Sequence, residues 1–143
     1  MPNHFHLLIH EKIENGISKF MQKLLTAYTM YFNKKNERTG PLFSGMFKAT
    51  HANEDEYLKY LFSYIHLNPI KLIEPLWKET GIKDRKRANM FLKSYNYSSF
   101  LDLTEKQRKE KVILYKKYFP EYFKSFKEFK NFIENWLAFS NVK

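Results

Sequence analysis

Cysteine is absent from the 143 residues. That removes disulfides and thiolate zinc sites, and it leaves nitrogen and oxygen donors to hold any metal. Long apolar runs are missing too. None approaches the ~20 residues that cross a bilayer, and the first residues lack the charged-then-apolar order of a signal peptide. A cytoplasmic protein in a reducing compartment, with no membrane partner, is the expectation. Internal repeats and low-complexity tails are also lacking. At this length the chain suits one domain, large enough to bury a core without staples and too short for two well-packed ones.

Positive charge and aromatic rings are what the chain has in excess. The formal net charge is +10 and aromatic residues make up 18%. The pairing suits nucleic acid, because cations neutralise phosphates while rings stack on unpaired bases. The same composition also arises from AT-rich codon usage, so by itself it assigns no function.

Residues 4–10 alternate, with His4, His6, Leu8 and His10 on one side and Phe5, Leu7 and Ile9 on the other. This reads as a strand with one apolar face. From Ile17 to Asn33, apolar positions from Ile17 through Phe20, Met21, Leu24 and Tyr28 to Phe32 recur at helical spacing, with Gly40-Pro41 beyond the end. Leu42 to Thr50 reads as a second strand or hairpin with Gly45 at a bend. Asn53, followed by Glu54, Asp55 and Glu56, looks like an N-cap with a capping-box glutamate, and Leu58, Leu61, Phe62 and Ile65 supply a buried stripe. That helix should stop at Asn68, since Pro69 disfavours helical geometry in its predecessor. A connection with a short helix near Lys86 to Leu92 follows, then helices over Thr104 to Tyr118 and Ser125 to Phe139.

In a strand, residues two apart point the same way and stand about 6 to 7 Å apart. His4 and His6 could therefore close on one ion, although a His-x-His pair alone is more often a pair of surface or core histidines. Tyr64 and Asn68 are four apart, one turn from each other on one side of a helix, while His66 points to the opposite side. A carboxamide oxygen is an acceptable third ligand for Mg or Mn, and a phenol one turn away would lie near the ion. The plainer alternative makes Tyr64 a core aromatic and Asn68 a helix cap before proline.

Three strings appear in order: Met1-Pro-Asn-His-Phe-His-Leu-Leu, then Thr39-Gly-Pro-Leu-Phe-Ser-Gly-Met-Phe-Lys-Ala, then Glu56-Tyr-Leu with Tyr64-Ile-His-Leu-Asn-Pro-Ile. Together they resemble the REP-associated tyrosine transposases, single-tyrosine relatives of the insertion-sequence transposases in the HUH endonuclease superfamily. The resemblance covers roughly residues 1–75, and Tyr97-Ser98-Ser99 is similar to a weaker downstream signature. It implies a divalent metal, Mg or Mn, held by His4, His6 and Asn68, with Tyr64 as the nucleophile. It implies as substrate a single strand of DNA folded into a hairpin, cut and rejoined through a 5′-phosphotyrosine link. Backbone phosphates would meet Lys34, Lys35, Arg38 and Lys48, or the denser cluster Lys83, Arg85, Lys86 and Arg87; each set is also an ordinary solvated face. The resemblance also allows a homodimer, since related insertion-sequence enzymes are dimers.

The fold expected is α+β: a small antiparallel sheet carrying His4 and His6, of the HUH, ferredoxin-like kind, packed on the long first helix and the Tyr64 helix. The transposase core would span residues 1–101, with 102–143 a helical extension of the same domain. In the family the Met-Pro-Asn-His motif is internal, preceded by a strand and a helix. This sequence starts at the motif, so its metal-bearing strand is expected to lack a sheet neighbour. Met46 stands where the family commonly has a basic residue. Two further readings stay open: a catalytically inactive derivative retaining at most nucleic-acid binding, and a metallohydrolase built on His4, His6 and His10, which lacks a nearby aspartate to complete its ligands.

Overall fold

The structure, a computed structural model, describes residues 1–104, 107–123 and 125–138. Contacts divide the chain into two compact units, one of residues Leu8–Ala52 and one of Met1–Leu7 together with residues from Asn53 onward. Among the described residues every regular element is helical. The small antiparallel sheet expected for residues 4–10 and 42–50 does not form, which corrects the α+β expectation to an all-helical one. Alternation sets which way side chains would point, but a strand exists only where a neighbour completes its hydrogen-bond ladder. Neither segment has such a neighbour among the described residues, and both run as irregular backbone. No helix among the described residues is long and apolar enough to cross a membrane.

The unit Leu8–Ala52 is built on α1, Gly16–Lys35. Asn15, in the left-handed region, turns the chain into it, and the Glu11 carboxylate accepts from the Ile17 N–H at 3.1 Å, satisfying one open donor of the first turn. At the far end the Asn36 amide donates to the Phe32 carbonyl (2.8 Å), and Lys34 and Lys35 complement the negative helix terminus. Gly45 is at a bend with φ +78°, as its position in the sequence suggested.

The other unit holds the core. It is assembled around α2 (Asp55–Leu67), α4 (Arg85–Ser94), α5 (Phe100–Leu103) and α6 (Phe126–Ala138), with a single turn, α3 (Trp77–Thr80), between α2 and α4. Asn53 is not the cap of α2: Glu54 takes that place, in extended backbone and without a side-chain bond to the helix. The far end of the α-helix does fall at Asn68, its C-cap, but by another route. Asn68 keeps helical angles, and the chain continues as a 3-10 helix over Asn68–Leu72. Pro69 fits there because it enters the first turn of the new helix, where an N–H would have lacked a partner. The described part of Thr104 to Tyr118 forms two short 3-10 turns, Lys109–Ile113 and Lys116–Tyr118, in place of one helix. Residues 105 and 106 of that stretch, and Phe139 at the expected end of α6, lie outside the described residues.

The face α2 buries is formed by Phe62, Ser63, His66 and Leu67, while Leu58, Leu61 and Ile65 are half-buried. Phe62 stacks on Phe123 with ring centroids 3.8 Å apart and meets Phe129 edge-on at 5.8 Å. Phe129, Ile133 and Leu137, four residues apart on α6, complete that wall of the core. Each such side chain removed from water stabilises the fold by roughly 1.5–3 kcal/mol.

His66 is buried among these rings. Its Nδ1–H donates to the Phe62 carbonyl (2.6 Å), and its Nε2 accepts from the Ser99 hydroxyl (2.9 Å), so both ring nitrogens are satisfied in the neutral form. The loop presenting Ser99 is itself tied down. Arg108 holds the buried carboxylate of Asp102 through an ion-pair contact of 2.7 Å and one hydrogen bond of 3.0 Å, and it donates to the Asn96 carbonyl.

Two outcomes follow. Phe129→Ala should cost about 3–5 kcal/mol in a denaturant titration, whereas Met46→Ala, on a side chain that is 92% exposed, should stay within about 0.5 kcal/mol. Burial pushes the His66 pKa down to about 4, partly opposed by its bond to Phe62. The unfolded chain therefore binds a proton near pH 6.5 that the folded chain refuses, so stability is full above 6.5 and falls as pH drops toward 4. Between pH 8 and pH 5 the loss from this group should be about 2 kcal/mol. His66→Gln should flatten that slope; parallel slopes in the two proteins would show that His66 does not stay neutral in the fold.

Candidate active site

The rotational setting of α2 decides what its outer side presents. With Phe62 and His66 turned into the core, Tyr64 and Asn68 come out together one turn apart, and both line an open cleft of about 550 Å³. Pro2, Asn3, His4, Lys71 and Lys78 also line it. His6 packs edge-on against Tyr64, ring centroids 5.3 Å apart, and the rings of His4 and His6 stand edge-to-face at 5.1 Å. The fold thus gathers His4, His6, Tyr64 and Asn68 at one place, although the histidines arrive on irregular backbone and not on a strand.

The electrostatics of the group suit ligation. The Nδ1–H of His4 donates to the Asn3 side-chain oxygen at 2.7 Å, which orients the ring and leaves Nε2 with its lone pair outward. Partial cover lowers the pKa of His6, and the neighbouring His4 and Lys78 lower it further, so the imidazole is held in the neutral form that a metal requires. No three His, Asp or Glu side chains are grouped to hold an ion among the described residues. The Asn68 carboxamide, buried and lining the cleft, could offer a neutral oxygen beside the two imidazoles. The donor set of two imidazoles and a carboxamide fits a divalent ion that keeps open positions for phosphate and water.

Two cations escaped the sequence reading. Lys78 places its ammonium 4.0 Å from the centre of the Tyr64 ring. Nothing in the spacing of α3 foretold that contact, because it depends on how α3 folds back on α2. Lys71 could have been found had the 3-10 continuation been foreseen. In a 3-10 helix residues three apart eclipse, which stacks Lys71 over Asn68.

Of the cations singled out in the sequence, the denser cluster is not part of the cleft lining. Lys83, Arg85, Lys86 and Arg87 are exposed on the loop before α4 and its first turn, and none lines the cleft. The Asp84 carboxylate caps that helix by accepting from the Arg87 N–H at 2.8 Å. In the unit of α1, Lys34, Lys35 and Lys48 are exposed. Arg38 is committed locally, donating to the Asn33 side-chain oxygen (3.0 Å) and the Pro41 carbonyl (3.3 Å).

The family model described as IS200-like transposase matches residues 1–68. No curated protein and no solved structure matches the chain. The matched span includes His4, Tyr64 and Asn68, which line the cleft, and His6, which packs against Tyr64. Through residues 1–68, a little under half of its 143 residues, this chain is similar to the IS200-like transposase family.

Proposed function

We propose that the chain cleaves and rejoins single-stranded DNA at folded-back hairpins, in the manner of the REP-associated tyrosine transposases it resembles. Transposition, and with it DNA as the partner, comes from the family. The finer reading is carried by one observation: the His6 ring lies 5.3 Å from that of Tyr64, at a cleft shared by Tyr64, His4 and Asn68.

Tyr64 is the nucleophile. Its phenolic oxygen forms a bond to the scissile phosphorus, the bond from phosphorus to the 3′-oxygen breaks, and the departing oxygen leaves as a 3′-hydroxyl. The phenol gives up its proton and the 3′-oxygen gains one, so the step is neutral in protons. A 5′-phosphotyrosine link remains and preserves the phosphodiester energy, so attack by a 3′-hydroxyl on that link rejoins DNA without ATP. His4, His6 and Asn68 would hold a divalent ion, Mg or Mn, which when bound withdraws charge from the phosphate. Lys78 adds a fixed positive charge beside Tyr64, and Lys71 a second in the cleft lining. The exposed cluster Lys83, Arg85, Lys86 and Arg87 would grip backbone phosphates without reading sequence, as would the exposed Lys34, Lys35 and Lys48; Arg38, tied to Asn33 and Pro41, would contribute least.

A second reading, DNA binding without cleavage, draws on the absence of a ladder around residues 4–10, since ligands on irregular backbone are held less rigidly than on a sheet. The two are separated by incubating a labelled hairpin oligonucleotide with the protein and Mn, then denaturing in detergent. Cleavage with a covalent protein–DNA band is expected for the wild type, none for Tyr64→Phe, and none after chelation until Mn is restored. A persistent band with Tyr64→Phe would remove Tyr64 from its role. Retarded but uncut DNA from the folded wild type would establish the second reading.

A further inference from the structure

A smaller cavity of about 200 Å³ lies next to the cleft and shares Tyr64 and Lys78 with it. Its walls include Tyr60, Trp77 and Trp136, with Ser63 and Gly81 among the other lining residues. The rings are set for stacking. Tyr57, Tyr60 and Tyr64 follow one face of α2, with Tyr57 stacked on Tyr60 at 6.3 Å and Tyr60 6.0 Å from Tyr64. Trp136, from α6, meets Tyr60 at 6.1 Å. The polar atoms are more telling. Trp77 Nε1 is a buried donor without a hydrogen-bond partner in the protein. Native folds seldom leave such a group unmatched unless something else supplies the acceptor. Ser63 gives its proton to the Lys59 carbonyl at 3.0 Å, so toward the cavity its hydroxyl can only accept.

We infer that this cavity holds one unpaired nucleobase of the strand that Tyr64 attacks, stacked among Tyr60, Trp77 and Trp136, with Trp77 Nε1 donating to a base carbonyl or ring nitrogen. The cavity is smaller than the ~300–1,000 Å³ of sites for drug-sized ligands, which suits a single flat ring system. Lys78 stands at the junction, where the phosphate joining that nucleotide to the scissile position would pass. The inference rests on the strand-transfer reading for its location but not for its test.

Trp77 and Trp136 are the two tryptophans of the chain, so tryptophan fluorescence reports on this cavity alone. Short single-stranded homo-oligonucleotides titrated into the wild-type protein should quench it saturably. Replacing the bases by abasic sites should weaken binding at least about fivefold, the loss expected when one stacked base is removed. Trp77→Phe keeps a ring but removes the donor; it should retain the fold, still quench through Trp136, and bind several-fold more weakly with altered preference among the four bases. Equal affinity for normal and abasic strands, or unchanged affinity and preference in Trp77→Phe, overturns the assignment. Quenching without any covalent adduct would sink the role of Tyr64 and leave the base site standing. An adduct without base-dependent quenching would do the reverse.

Discussion

The burial of one helix face sets up everything else in the C-terminal unit. Phe62 and His66 are four residues apart on α2 and enter a cluster of aromatic rings contributed by Phe123 and Phe129. A helix locked by two large side chains cannot rotate about its axis without emptying that cluster, so Tyr64 and Asn68 are held lining the cleft. His66 adds direction to the packing. Both its nitrogens are engaged, one within its own helix and one with Ser99, so the helix is tied to the segment that leads into α5 as well as pressed against α6.

The histidine of the Tyr-x-His-x-Asn-Pro string therefore differs in kind from His4 and His6. It is neutral because it is buried, and its hydrogen bonds consume the lone pair a metal would need. His4 keeps one nitrogen free because Asn3 takes the other, and His6 is kept neutral by partial burial and by the neighbouring His4 and Lys78. Three imidazoles within a short reach of α2 are thus sorted into one structural clamp and two ligand-competent rings by their surroundings alone.

The residues beyond the matched family span have a definite part in this. Phe123, Phe129, Ile133 and Leu137 make one wall of the core, and Trp136 borders the smaller cavity. The C-terminal helix thus supports the helix that carries Tyr64, and its solvent side helps shape the surface next to it. The cleft and the smaller cavity meet at Tyr64 and Lys78, which places charge and aromatic surface side by side, the two qualities an unpaired strand engages.

Helical periodicity was legible where a full apolar stripe marked it: α1, α2 and α6 lie close to the expected positions, because a helix satisfies its backbone internally, whereas the helix expected over Thr104 to Tyr118 breaks into short 3-10 turns. The four-residue interval from Tyr64 to Asn68 likewise determined that these two would share a side. What could not be read was anything that needs a partner distant in sequence. Residues 4–10 carry the alternation of a strand but find no ladder, and the buried stripe of α2 is turned to Phe62 and His66. The sequence by itself determined the three long helices, their charges and the order of the chemical groups. Only the tertiary structure decided that His6 lies against Tyr64 and that Lys78 covers its ring, since those contacts come from side-chain packing between segments whose separation along the chain says nothing of their distance in space.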